Sequence, residues 1–200
     1  SALISGYTAS HHKLEEEISE FLGQEKTLLF STGYQANLGV IKALVSRDDN
    51  IIADQLNHAS LIDGSILSRA NFKRYNHNDY KDLEKKILKC KTKNNLIISD
   101  SLFSMDGDIA NIKKLSIKAR KHKSSLLIDE AHSLGVFGPE GRGLVYGSSL
   151  CKEKNIFVTG TFGKSIGTFG AFFSGEQDYV EYVMQKSRSY IYSTSLPVNA

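Results

Sequence analysis

The 200-residue sequence is short of several things, and each shortage closes off a class of answers. It has only two cysteines, Cys90 and Cys151, which lie 61 residues apart with no CxxC pair. That pattern argues against a disulfide framework and against a zinc site, and it suits a reducing cytoplasm. Charge of one sign is also scarce: 25 basic against 22 acidic residues leave +3, with Lys and Glu interspersed. No electrostatic case for a nucleic-acid partner follows, and runs such as 118–123 read as solvated helix faces. No apolar run approaches the ~18 residues of a membrane span, and no basic-then-apolar leader is recognisable, so no membrane partner is expected. Prolines number two, and no linker rich in Pro, Ser or Gly divides the chain. Nor is there an internal repeat. The chain starts at Ser1 rather than Met and stops just after Pro197, which suggests a piece of a longer protein.

What is present is ordinary soluble composition, 40% hydrophobic and 24% charged, which sets aside disorder, collagen and coiled coil. A chain this long buries about 70% of its extended surface. Short apolar runs alternate with amphipathic stretches, the pattern of a βα sheet protein. Helices are predicted over 12–22 (stopped by Gly23), from near Gly33, and over 83–87, 112–121 and 179–186. Strands are predicted at 27–30, 51–53, 96–99, 126–128, 156–159 and 171–174. The expectation is one α/β domain with a largely parallel central sheet and helices on both faces.

Ten of the sixteen glycines fall between Gly135 and Gly175. Core packing alone would scatter them, so something the size of a backbone is expected against this stretch. Gly163-Lys164-Ser165 invites a phosphate-loop reading, but that motif needs a glycine five residues before Gly163, where Val158 stands. No GxGxxG follows an early strand either, which disfavours both an ATPase and a dinucleotide enzyme.

A different chemistry needs a lysine on a short loop between strands. A Schiff-base lysine must be reachable by a carbonyl and partly desolvated, so that its amine can be neutral. Lys164, flanked by Thr161 and Ser165, suits that role; taken alone, it reads equally as a surface lysine in a glycine-rich loop. Asp129 ends the apolar run 126–128, which puts it at the carboxyl end of a central strand, where α/β sheets place their ligands. It could serve a pyridine nitrogen, as pyridoxal phosphate chemistry requires, or simply cap a turn. His132 could reach a phenolic oxygen or be a histidine bonded to backbone. Ser31-Thr32-Gly33-Tyr34 follows a strand and opens a helix whose free amides suit a phosphate. His58 could lie on an aromatic ring or belong to a capping loop.

Taken together, these residues resemble the large domain of the α-oxoamine synthases, pyridoxal-phosphate enzymes of fold type I. The similarity runs almost end to end. It includes Ser5-Gly6-Tyr7 with His11, the segment from Ser31 to Asn37, Asn57-His58-Ala59-Ser60 and Phe103-Ser104-Met105-Asp106-Gly107-Asp108. It continues through Asp129-Glu130-Ala131-His132, Gly138-Pro139-Glu140-Gly141-Arg142-Gly143, Thr161-Phe162-Gly163-Lys164 and the segment from Tyr192 to Pro197.

The resemblance implies that Lys164 carries pyridoxal 5′-phosphate and then moves protons, that Asp129 pairs with the ring nitrogen, and that His58 stacks on the ring. Ser104 and His132 would lie near the phenolic oxygen, and Gly33, Tyr34 and Thr161 at the phosphate or cofactor rim. It also implies one antiparallel strand, at 171–174. Residues 1–200 would be the cofactor-binding domain, without the amino-terminal arm and carboxy-terminal small domain of the family. The implied substrates are an amino acid and an acyl-CoA or acyl-carrier protein, and the implied assembly is a homodimer in the cytoplasm.

Among the family's branches, His77-Asn78-Asp79 and Tyr192-Ser193-Thr194-Ser195 look most like 8-amino-7-oxononanoate synthases. These condense L-alanine with a pimeloyl thioester, losing carbon dioxide, on the way to biotin. The 2-amino-3-ketobutyrate CoA ligases, 5-aminolevulinate synthases and serine palmitoyltransferases are the alternatives. A catalytically silent partner subunit is disfavoured by the presence of Lys164.

Overall fold

Alternation along the strands explains the layering. In the strand Asn50–Asp54, Ile51 points to one side and Ile52 to the other, and both are fully buried, so this strand needs cover on two faces. The computed structural model, which describes residues 1–90 and 94–198, shows that cover. In chain order the elements are α1 (Ala9–Leu22), β1 (Lys26–Phe30), α2 (Gly33–Leu44), β2 (Asn50–Asp54), α3 (Ala59–Ser68), β3 (Asn71–Tyr75), α4 (Tyr80–Leu88), β4 (Asn95–Asp100), α5 (Ile112–Lys121), β5 (Ser125–Asp129), α6 (Gly143–Gly147), β6 (Ile156–Thr161), β7 (Ala171–Gly175), α7 (Gln177–Lys186) and α8 (Arg188–Ile191). A π-helical turn at Ala2–Gly6 precedes them, and a 3-10 turn at Pro139–Gly141 precedes α6.

The strands form one sheet in the order β1-β7-β6-β5-β4-β2-β3. Every pairing from β6 to β3 is parallel, while β7 runs antiparallel to both β6 and β1. The antiparallel strand is thus the one expected. On one face Ile52, Ile97, Leu126, Ile128 and Val158 pack with Leu83 and Ile87 of α4 and Leu115 and Ala119 of α5. On the other, Ile51, Ile98, Leu127 and Phe157 pack with Val40 and Ile41 of α2, Leu61 of α3 and Val180 and Val183 of α7.

Three features depart from expectation. The first helix starts earlier, at Ala9, because Thr8 and His11 form a capping box that satisfies its opening amides. Strand β3 has the polar sequence Asn-Phe-Lys-Arg-Tyr and sits at the sheet edge, where a polar outer face is tolerated and the apolar signal is weak. The run 118–123 is not wholly solvated: Lys118, Lys121 and His122 converge on Glu84, tying α5 to α4.

The glycine cluster also finds its reason here. What lies against Gly138, Gly141 and Gly143 is the chain itself: a Cβ on Gly138 would stand 2.1 Å from the Gly143 carbonyl oxygen, and one on Gly141 would meet Gly135 at 3.1 Å.

Candidate functional site

Three neighbouring strands end on an aspartate at the carboxyl edge of the sheet: β2 on Asp54, β4 on Asp100 and β5 on Asp129. An apolar strand carries its chain into the core, and the first polar residue after it marks the mouth. Asp100 and Asp129 are register partners in adjacent parallel strands, so their carboxylates sit side by side. A cleft opens above them, lined by residues from α2, the β2–α3 turn, the β5–α6 loop and β6 with its following loop.

Of the expected site residues, Gly33, Tyr34, His58, Asp129, His132, Thr161 and Lys164 all line this cleft. Ser104 does not; it is exposed in the turn between the isolated bridge partners Leu102 and Ile109. Asn37, Ser60, Asp100 and Thr159 line the cleft as well, and sequence reasoning had given them no role. A usable signal existed for two of them. Asp100 ends an apolar strand just as Asp129 does, and Asn37 sits on the apolar face of α2 beside Ala36, Val40 and Ile41.

Lys164 lies on the loop between β6 and β7. Much of the residue is exposed, but its amine reaches into the cleft and stands 2.7 Å from Nε2 of His132. Loss of water there pulls the lysine pKa down, against the opposing pull of Asp129 and Asp100. His132 is lowered too, first by burial and then by the Lys164 charge. Both groups are therefore biased toward their neutral forms.

Asp129 is buried and held at both oxygens. Oδ1 accepts from the Ala131 amide at 2.8 Å and Oδ2 from Asn37 Nδ2 at 2.6 Å. Asn37 is itself oriented: Thr159 Oγ1 donates to its Oδ1 at 2.8 Å, and its amide also reaches Ser60 Oγ at 2.9 Å. Ser60 in turn meets His58 Nδ1 at 2.7 Å, while the Ser60 amide donates to the same nitrogen at 3.2 Å. With Nδ1 accepting, the ring hydrogen of a neutral His58 falls on Nε2.

At the far wall, Thr32 caps α2 by accepting from the Gln35 amide, which leaves the first-turn amides of Gly33 and Tyr34 outside the helix ladder. A Cβ on Gly33 would stand 3.6 Å from Thr161 Cβ, so the helix start and Thr161 flank one narrow space. Tyr34 is anchored from outside by a hydrogen bond to Asp63. Behind the site, Glu130 is fully buried and accepts from the Val145 amide at 2.8 Å, and burial pushes its carboxyl up to about 7.

The His77-Asn78-Asp79 motif lies outside the cleft lining. His77 bridges Asp54 at 2.9 Å and Asp108 at 2.7 Å, and Asp79 caps α4. Cys90 and Cys151 are both free. Among the described residues, no cluster of His, Cys, Asp or Glu could hold a metal ion, and no helix is long and apolar enough to cross a membrane.

Comparison with known proteins bears on the family and the fold. The family described as aminotransferase class I and II matches residues 1–200. The 8-amino-7-oxononanoate synthase of Methylococcus capsulatus is 47% identical over 98% of this chain and 51% of its own length. That of Nitrosococcus oceani is 47% identical over 98% of the chain and 52% of its own length. The chain thus spans about half the length of the curated relatives it matches. Among solved structures, the serine palmitoyltransferase of S. paucimobilis with bound PLP–myriocin aldimine superimposes with a TM-score of 0.92 at 38% identity, over 99% of this chain and 50% of that one. The 8-amino-7-oxononanoate synthase of Francisella tularensis gives 0.85 at 32% identity, over 96% of this chain and 56% of that one. The shared fold is that of the fold type I pyridoxal-phosphate enzymes, and the similarity to α-oxoamine synthases covers nearly all of the chain.

Proposed function

Because the chain belongs to the aminotransferase class I and II family, we propose that it is the cofactor-binding part of a pyridoxal-phosphate-dependent α-oxoamine synthase. The reaction proposed is the condensation of L-alanine with a pimeloyl thioester to 8-amino-7-oxononanoate, carbon dioxide and free thiol. One observation carries this reading. The amine of Lys164 and the carboxylate of Asp129 face a single cleft at the carboxyl edge of the sheet, with His58 and His132 beside them.

The residues present fit the cofactor. Lys164 offers an amine drawn toward neutrality, Asp129 a fixed carboxylate, and the start of α2 with Thr161 a narrow space edged by free amides. When bound, pyridoxal phosphate supplies an electron sink for charge developed at the substrate's α-carbon.

The roles proposed for the protein's own residues are those the resemblance implies, and the cleft brings most of them together. Lys164 Nζ would hold the cofactor through its aldehyde carbon and, when not so engaged, would serve as the base for the substrate's α-proton. Asp129 would keep a proton on the ring nitrogen, and His58 would cover the ring face. His132, which lines the cleft beside Lys164, would stand near the phenolic oxygen, whereas Ser104 lies outside the cleft. Gly33, Tyr34 and Thr161 would hold the phosphate end.

The 2.7 Å contact between Lys164 and His132 puts a second proton-exchanging group within reach of the amine, either nitrogen donating according to the imidazole tautomer. The acyl donor proposed is an acyl-CoA or acyl-carrier protein, and an arm and a small domain of the kind the family has would complete the pocket for it. A homodimer in the cytoplasm is the proposed working form.

A second reading is serine palmitoyltransferase activity, favoured by the TM-score of 0.92 to that enzyme. The relatives at 47% identity favour the alanine-dependent reaction. One experiment separates them. The full-length protein with pyridoxal phosphate is given alanine, glycine or serine in turn while its visible spectrum is recorded, and portions of the responsive sample then receive pimeloyl-CoA or palmitoyl-CoA. A shift with alanine followed by thiol release supports the proposal. A shift with serine and release only from palmitoyl-CoA would replace it.

A further inference from the structure

We propose that Asn37 is the positioning residue that decides which of two adjacent carboxylates is the anion of the site, holding Asp129 ionised and leaving the proton on Asp100. The inference rests on the cofactor reading above for its functional meaning, because the ring nitrogen needs an anion at Asp129.

The geometry sets the problem first. Asp100 and Asp129 end neighbouring strands as register partners, are 5% and 6% exposed, and line the same cleft. Two carboxylates in such proximity and burial do not both ionise at neutral pH, because the first negative charge opposes the second. One keeps a proton, and the hydrogen-bond donors aimed at each decide which. A carboxylate accepts only, so every fixed donor favours the ionised form.

Asp129 receives two donors, the Ala131 amide on Oδ1 and the Asn37 amide on Oδ2 at 2.6 Å. Asp100 receives one, the His58 amide on Oδ2 at 2.7 Å. The Ala131 and His58 amides are main chain and balance each other, so the Asn37 side chain supplies the difference. It cannot turn around without loss. Thr159 donates to Asn37 Oδ1, and rotating the amide would aim that oxygen at the Asp129 carboxylate, replacing the 2.6 Å hydrogen bond with two acceptors face to face.

The surrounding charges do not reverse the order. Lys164 faces both carboxylates, and His132 and His58 line the cleft above them. Asp54 adds negative charge near Asp100, and Glu130 follows Asp129 in sequence with its own carboxyl biased toward neutral. In keeping with this, burial and then the Asp129 charge push the Asp100 carboxyl up to about 8.

The test uses the full-length protein and two readouts. In the first, pyridoxal phosphate affinity is measured between pH 6 and 9 for the wild type, Asn37→Ala, Asp100→Asn and the double variant. Asn37→Ala should weaken binding about tenfold or more at pH 6 to 7, with the loss shrinking as pH rises and both carboxyls ionise. Asp100→Asn removes the competitor for the proton, so Asn37→Ala made in that background should cost about threefold or less. A merely structural Asn37 would cost the same in both backgrounds, and that equality would overturn the proposal. The second readout needs no cofactor: infrared spectra of the cofactor-free protein at pH 7. The protonated-carboxyl band should vanish in part with Asp100→Asn and persist with Asp129→Asn. The reverse pattern would overturn the proposal, even if the wild type bound no pyridoxal phosphate and the cofactor reading had failed separately.

Discussion

Lys164 Nζ lies 2.7 Å from His132 Nε2, across a cleft whose walls draw both groups toward neutrality. The contact has a consequence for the cofactor-free protein. A lysine whose pKa is lower folded than unfolded binds fewer protons in the folded state, so stability rises with pH across the interval between the two values. Below that interval the folded state carries the full cost of a partly desolvated ammonium. Lys164→Met should therefore raise the melting temperature of the cofactor-free protein at pH 7 by on the order of 2 °C, the effect being discounted for an amine still open to solvent. At pH 10.5 the gain should shrink toward zero. Thermal melts at the two pH values check this, and an equal gain at both would mean that lost charge plays no part.

Glu130 gives a dependence of similar origin on the acid side. Burial raises its carboxyl from 4.5 to about 7. Between those values the unfolded chain has released the proton while the folded protein retains it, so stability falls as pH rises through the window and is level above it. Glu130→Gln does not titrate. Relative to wild type its stability should climb by roughly 3 kcal/mol from pH 4.5 to 7, at about 1.4 kcal/mol per pKa unit. Urea melts at several pH values measure the climb, and parallel curves would show that Glu130 is already ionised when folded.

Gly143 is where that buried carboxyl meets the loop. Its φ is +90°, and a Cβ there would lie 1.8 Å from Glu130 Oε2. Gly143→Ala combines left-handed strain with a clash against a fixed group, and a loss of more than about 2 kcal/mol is expected. Ala substitution at Gly107, which also has positive φ but open space around it, should cost only about 1 kcal/mol. Comparing the two by denaturant melts separates the clash from the strain.

His77 ties the edge of the sheet to the turn bearing Ser104. Burial alone would lower its pKa, but its bonds to Asp54 and Asp108 outweigh that and hold it above the ordinary value. The stability it adds is complete below the ordinary histidine value and is lost as pH rises through the raised one. His77→Gln should therefore cost about 1–2 kcal/mol at pH 6 and less at pH 9. A cost that grows with pH would contradict the ion pair.

Much of this was legible in the sequence because the signals were strong and local. The strand before Asp129 is a solid apolar run, so its end could be placed without knowing the fold, and the glycine-bounded loop placed Lys164 between strands. Strand β3 was not legible, since an edge strand can be mostly polar and leaves little periodicity to read. Asn37 was quoted within a motif but given no role. Its importance lies in contacts to Asp129 and Thr159, 92 and 122 residues away, which no local pattern encodes. The glycine cluster was legible as crowding, yet Gly138, Gly141 and Gly143 crowd their own loop and Glu130, while Gly160, Gly170 and Gly175 crowd the side chains of Phe172, Leu196 and Phe157.

The central claim is that Lys164 is the residue joined to pyridoxal phosphate, and borohydride reduction tests it most directly. The full-length protein is incubated with the cofactor, reduced, digested and mapped by mass spectrometry. The account predicts a pyridoxyl group on the peptide containing Lys164, absent from the Lys164→Ala protein. A label spread over surface lysines, or fixed on a different one, would contradict it.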